Sequence, residues 1–119
     1  MKRDMDLCRD ILIEMEESDS LEQQGCDNLH NKEYTFEEIK YHCHLLNEHG
    51  LIRECTIGTA LGVVTVFHVS GLTWDGHDFL EKVRNDTLWS KTKAHIKEKA
   101  LPFTIDIIKQ VIPLLLSLT

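Results

Sequence analysis

Apolar side chains recur at three- and four-residue spacing over residues 6–17, where Leu7, Cys8, Ile11, Leu12 and Met15 share one face. That period predicts an amphipathic helix, capped by Asp4 or Asp6, with early acids that suit the helix dipole. Residues 18–33 lose the period and hold Gly25, Asn28 and Asn31. Only Leu21, Cys26 and Leu29 are candidates for burial there, so a long loop is expected, with a short strand near 28–34. A second helix is predicted over residues 35–49. Thr35 followed by Glu38 is a capping box, Ile39, His42, Cys43 and Leu46 form the inner stripe with Leu45 beside it, and Gly50 supplies the stop.

The period then changes. Leu51 and Ile52 lead into a strand over 53–57, residues 58–62 (Gly-Thr-Ala-Leu-Gly) read as a turn, and 63–69 is a β-branched and aromatic run. Two such runs around a glycine-containing turn predict a hairpin. After Ser70-Gly71, Thr73 is the expected cap of a third helix to about residue 85, with Trp74, His77, Leu80 and Val83 facing inward. Gly76 early in this helix costs about 1 kcal/mol relative to alanine, which a close approach to the hairpin or the first helix would explain. His77, facing inward, would hydrogen-bond a backbone carbonyl. Asp86 or Thr87 caps a fourth helix over 88–100, and Pro102 separates it from a last helix starting near Thr104, which Pro113 is expected to kink or end near Ile112.

The order helix, loop, helix, hairpin and three helices gives the fold class: α+β, mostly helical, a winged-helix-type domain with a two-stranded wing. The expected division is residues 1–86 as the winged-helix-like part and 87–119 as a C-terminal helical extension packed on it, one structural domain overall.

The opening Met-Lys-Arg-Asp-Met-Asp-Leu at 1–7, the Glu38-Ile39-x-Tyr41-His42 run continuing to Gly50-Leu51-Ile52, the stretch 72–80 (Leu-Thr-Trp-Asp-Gly-His-Asp-Phe-Leu) and Asp86-Thr87-x-Trp89-x-Lys91 resemble the family known as domain of unknown function 2513. They also look like the related YjcQ family of small winged-helix proteins. The resemblance covers nearly the whole chain and implies a winged-helix fold and an association with Gram-positive bacteria and their phages. It implies no activity.

The charge balance narrows the function. The 119 residues carry a formal charge of −7. Residues 1–34 hold four basic and ten acidic side chains, whereas 81–100 hold six basic and three acidic. An acidic chain is repelled by phosphate unless a local basic face overcomes its field. DNA-contacting candidates are Lys40, Tyr41, His44 and Asn47 on the outer face of the second helix and Lys91, Lys93 and Lys97 on the fourth. Against them, the second helix begins with glutamates and the wing tip has no Lys or Arg. The lysines of the fourth helix lie around it, as on a solvated helix.

No catalytic motif of the Gly-x-Ser-x-Gly, P-loop or His-Glu-x-x-His kind is present, so no enzyme and no cofactor are expected. Cys8, Cys26, Cys43 and Cys55 contain no Cys-x-x-Cys pair and read as reduced thiols in a cytoplasmic chain without an export signal. Cys26 and His30 leave a thiol or metal sensor as an alternative, although no standard zinc spacing is present. The last helix carries two apolar stripes, Ile105, Ile108, Ile112 and Leu115 beside Ile107, Val111, Leu114 and Leu118. One stripe suffices to pack a helix on its own domain. The first four are therefore candidate oligomer-interface residues, with a tail wholly wrapped in its own core as the alternative, and the leading expectation is a regulatory protein-interaction module that dimerises or binds a protein partner through its C-terminal helices. A phage-related DNA-binding regulator is the alternative. No stretch suits a membrane span.

Overall fold

A computed structural model of the chain describes residues 1–22, 26, 29, 33–53 and 55–118. The described residues form a mixed α+β structure of five helices and small antiparallel sheets, and their contacts divide it into two compact units, Met1–His77 and Asp78–Thr119. The division falls inside the third helix.

In the first unit, α1 (Met5–Ser18) is capped by Asp4, whose Oδ1 accepts the N–H groups of Asp6 at 2.9 Å and Leu7 at 3.2 Å. The anticipated inner face, Leu7, Cys8, Ile11, Leu12 and Met15, is buried. Helix α2 (Phe36–His49) begins with the full capping box of Thr35 and Glu38. It ends in a Schellman arrangement: Leu51 N–H bonds Leu46 O at 3.0 Å and Gly50 N–H bonds Asn47 O at 3.1 Å, with Gly50 at φ +85°. The position needs a left-handed residue, which glycine adopts without steric cost. Buried Ile39, Cys43 and Leu46 pack in this unit, whose core also takes Leu51, Ile52 and Val69.

Strand β1 (Leu21–Glu22) sits where a loop was expected, and pairs antiparallel with β4 (Val63–Val69), placing Leu21 opposite Val69. The expected strand near 28–34 falls partly outside the described residues. Strand β2 (Ile52–Arg53) pairs with β5 (Gly71–Leu72), and β3 (Thr56–Ala60) pairs with β4. Both pairs keep one register, Ile52 opposite Leu72 and Thr56 opposite His68, so they are two stretches of the same antiparallel ribbon. The register slips by one residue beyond Gly58, where Thr65 is the extra residue of a bulge in β4. Gly58, Thr59 and Ala60 are thus strand and not turn. The turn is only Leu61-Gly62, with φ +54° and +78°, the two positive values of a type I′ turn, whose twist matches the flanking strands.

Helix α3 (Trp74–Val83) is capped by Thr73, which accepts the Gly76 N–H at 3.0 Å. Its buried positions are Gly76, Phe79, Leu80 and Val83. Trp74 and His77, expected to face inward, are exposed, Trp74 by 80%. The reason is local: the helix must turn Gly76 toward the Leu51 carbonyl, and a Cβ at that position would overlap the oxygen. Trp74 and His77 are then swung outward on the 3.6-residue period.

The second unit contains α4 (Asp86–Glu98) and α5 (Ile105–Ser117). Asn85, not Asp86 or Thr87, caps α4, accepting the Leu88 N–H at 2.9 Å. Trp89, Thr92 and Ile96 are buried along it, and Trp89 meets Phe103 with ring centroids 5.7 Å apart. Thr104 caps α5. The helix runs through Pro113 to Ser117 instead of ending near Ile112. Pro113 is on the exposed side, where a carbonyl deprived of its N–H partner meets water rather than a dry core.

Candidate interaction surfaces

The outer face of α2 begins from its sequence: Glu37, Lys40, Tyr41, His44 and Glu48 fall outside the buried stripe. Lys40 and His44 there already have carboxylate partners. Lys40 Nζ lies 2.8 Å from Glu37 Oε2 and 5.9 Å from the Phe36 ring centroid, and its side chain is only 18% exposed. His44 Nε2 lies 2.9 Å from Glu48 Oε1. A shallow groove of about 360 Å³ gathers Lys40, Tyr41 and His44 with Met1, Glu37 and Ile57. Asn47 is half-buried and outside that groove. The face brings together three of the four DNA-contacting candidates on this helix, Lys40, Tyr41 and His44, with Glu37 in the same groove.

Behind this face, His42 is buried with both ring nitrogens engaged. Nδ1 donates to Glu38 O at 2.7 Å, and Nε2 accepts the Asp4 N–H at 2.8 Å. The two partners fix the neutral Nδ1–H tautomer. Tyr34 donates to Asp4 Oδ2 at 3.2 Å. Its phenol is pushed above the ordinary range, by burial first and then by the Asp4 carboxylate. Asp4 therefore ties the start of α1 both to α2 and to the segment before it.

The thiols are quiet. Burial pushes Cys8 up to about 12, the nearby Arg3 opposing only in part. Cys43 is raised well above its usual value by burial, with the Cys55, Cys26 and Cys8 thiols adding in the same direction, and Cys55 is raised by burial. Protonated thiols are poor nucleophiles and poor metal ligands. Cys26 Sγ donates to Glu22 O at 3.4 Å, while His30, its proposed co-ligand, lies outside the described residues. Among the described residues no three His, Cys, Asp or Glu side chains converge as a metal site.

In the second unit, Ile105, Ile108 and Ile112 are buried in the chain itself, and Leu115 is half-buried. Most of the stripe proposed as an oligomer interface is therefore core. Of the neighbouring stripe Val111 is also buried, and the apolar surface of α5 lies beyond Pro113, at Leu114, Leu116 and Leu118. Leu115, Leu116 and Leu118 line a groove of about 480 Å³ with Asn85, Thr87, Leu88 and Lys91. Leu88 and Leu116 also line a second groove, of about 330 Å³, with Asp78, Glu81, Lys82 and Ile112. Lys91 and Lys97 are exposed, and Lys93 lies 6.0 Å from the Trp89 ring centroid. Lys93 and Lys97, four residues apart, share one side of α4, and Lys91 lies on another.

Two features escaped the sequence reading. One is the exposed Trp74. The other is the apolar hairpin, where Ile57, Leu61, Val63 and Val66 are exposed. A signal for the hairpin was present: residues 55–74 contain no Asp, Glu, Lys or Arg.

These are open surfaces on a small mixed α+β scaffold. Among the described residues no helix is long and apolar enough to cross a membrane. The chain matches the family described as "Hypothetical protein (DUF2513)" over residues 2–102, and it belongs to that family. It is also similar to an uncharacterized protein of Haemophilus influenzae strain Rd, 36% identical over 121 residues that cover 98% of this chain and 97% of the relative. No solved structure matches.

Proposed function

We propose that this protein is a non-enzymatic regulatory module on a winged-helix-type scaffold, cytoplasmic, that binds protein and self-associates through the last turns of α5. The winged-helix reading is supported by α2 leading through Gly50 into the ribbon, and by the YjcQ-like resemblance. The observation that carries the functional reading is the run of exposed Leu114, Leu116 and Leu118 beside the 480 Å³ groove. Apolar burial of this kind drives association that is insensitive to salt.

Truncating the chain before α5 would also remove buried Ile105, Ile108 and Ile112, so the test uses surface variants. Light scattering coupled to size exclusion on the full chain is expected to show an oligomer that persists at about 0.5 M salt, where exposed charges are strongly screened. Leu116→Glu and Leu118→Glu should reduce its mass with no loss of helical signal. A wild-type chain that runs as a monomer at every concentration overturns the reading.

A DNA-binding regulator is the second reading, favoured by one observation: Lys91 and Lys97 are exposed and have no acidic partner among the described residues. It requires binding to duplex DNA that falls steeply with salt and is weakened by Lys91→Glu, Lys97→Glu or Lys40→Glu. Fluorescence anisotropy at about 50 mM salt, where phosphate contacts are strongest, distinguishes the two readings.

A further inference from the structure

We propose that the outer edge of β3 is a second self-association surface, on which the β3 of another copy of this chain adds in antiparallel register about Gly58. The surface belongs to the first unit, and the α5 leucines belong to the second.

Strand β3 ends the three-stranded order β1-β4-β3, and every residue of it is exposed except the half-buried Gly58. An end strand offers a row of backbone N–H and C=O groups to any other strand. Proteins commonly blunt such edges with lysine, proline, an inward charge or a bulge on the edge strand. None of the first three occurs anywhere in residues 55–74, and the bulge lies in β4 instead.

The charge distribution selects the occupant. Copies of a chain with net charge −7 repel one another. Residues 55–74 form its longest run without a formal charge, so two copies meet there without bringing like charges together. The strand is also self-complementary. With Gly58 on the two-fold axis, Ile57 faces Thr59 and Thr56 faces Ala60 of the other copy. These are small and β-branched pairs that suit cross-strand packing, in an isologous arrangement.

Leu61 is the independent observation. It holds φ +54° in the turn and is 104% exposed. Asn, Asp or Gly satisfies a type I′ turn without the steric cost that leucine meets there. Neither its backbone nor burial in its own chain accounts for a leucine. At the end of β3, beside exposed Val63, it extends the apolar contact that a second copy would cover. A five-residue strand pair is smaller than the roughly 1,200 Å² of total burial usual for stable complexes, so the association is weak and concentration-dependent.

The test is sedimentation velocity over a hundredfold concentration range on full-length Leu116→Glu, in which the α5 surface is disabled. The sedimentation coefficient is expected to rise with concentration, and backbone amides of residues 56–60 to gain protection from hydrogen exchange over the same range. Adding Thr59→Lys, which charges the edge, should abolish both effects. Adding Leu61→Asn should weaken them while raising the thermal midpoint, because it relieves the turn. A Leu116→Glu chain with no concentration dependence overturns the proposal, as does a dependence that Thr59→Lys leaves unchanged. If wild type self-associates and Leu116→Glu alone removes all of it, the α5 reading survives and the β3 reading fails.

Discussion

Gly76 lies so close to Leu51 that no other residue type fits: a Cβ built on it would overlap the Leu51 carbonyl oxygen. Around this contact Thr73 donates its hydroxyl to Gly50 O at 2.5 Å, accepts the Gly76 N–H, and bonds Leu51 O through its own N–H at 3.1 Å. The start of α3 is thereby fastened to the end of α2, and Thr73 and Gly76 of the Leu-Thr-Trp-Asp-Gly-His run have a structural explanation. Gly76→Ala should destabilise the fold by about 3 kcal/mol or more, since a backbone oxygen cannot yield as a side chain does. Gly50→Ala meets no atom within 4 Å and should cost only about 1 kcal/mol, for the left-handed φ. Urea denaturation of both variants checks the ordering, and equal losses would refute the close contact.

Ala100 ends α4 as Gly50 ends α2. Leu101 N–H bonds Ile96 O at 3.0 Å, Ala100 N–H bonds Lys97 O at 3.2 Å, and Ala100 stands at φ +53°. Ala100→Gly should therefore stabilise the protein by about 1 kcal/mol, read as a higher thermal midpoint.

Replacing His42 by Ala should cost about 3 kcal/mol, because it opens a cavity and leaves the Asp4 N–H without its partner. The loss concentrates at the start of α1. Hydrogen exchange should show faster exchange at Asp4 than in the second half of α2, and uniform loss across the chain would count against the tie.

Alkaline unfolding follows from the thiols. Cys8 moves from 9.0 to about 12, and Cys43 is raised in the same direction. The folded chain holds these protons more tightly than the unfolded one. Their contribution is full below the unfolded value near 9 and falls as pH rises toward the folded value, at up to about 1.4 kcal/mol per pH unit for each thiol. Stability should drop between pH 9 and about 12, and Cys8→Ala should flatten that decline while lowering stability at neutral pH. A decline unchanged in Cys8→Ala and in Cys43→Ala would remove the thiols as its cause.

The amino-acid sequence by itself determined what is local. Helix period, the Thr35–Glu38 box, the Gly50 stop and the β-branched runs of the hairpin act within a few residues, and the buried face of α1 follows from a single apolar stripe. Where two faces competed, only the tertiary structure decided. In α3, Trp74 and His77 make as good a stripe with Leu80 as Gly76 does with Phe79 and Val83. The Leu51 carbonyl decides, because it admits glycine alone. In α5 both stripes are apolar, and periodicity does not rank them. Burial of Ile105, Ile108 and Ile112 takes the first stripe into the core and moves the candidate interface to the leucines beyond Pro113. The exposed hairpin is of the same kind: β-branched residues predict strands, but which strand lies at an edge is set by pairing with distant β1, a contact that no local pattern encodes.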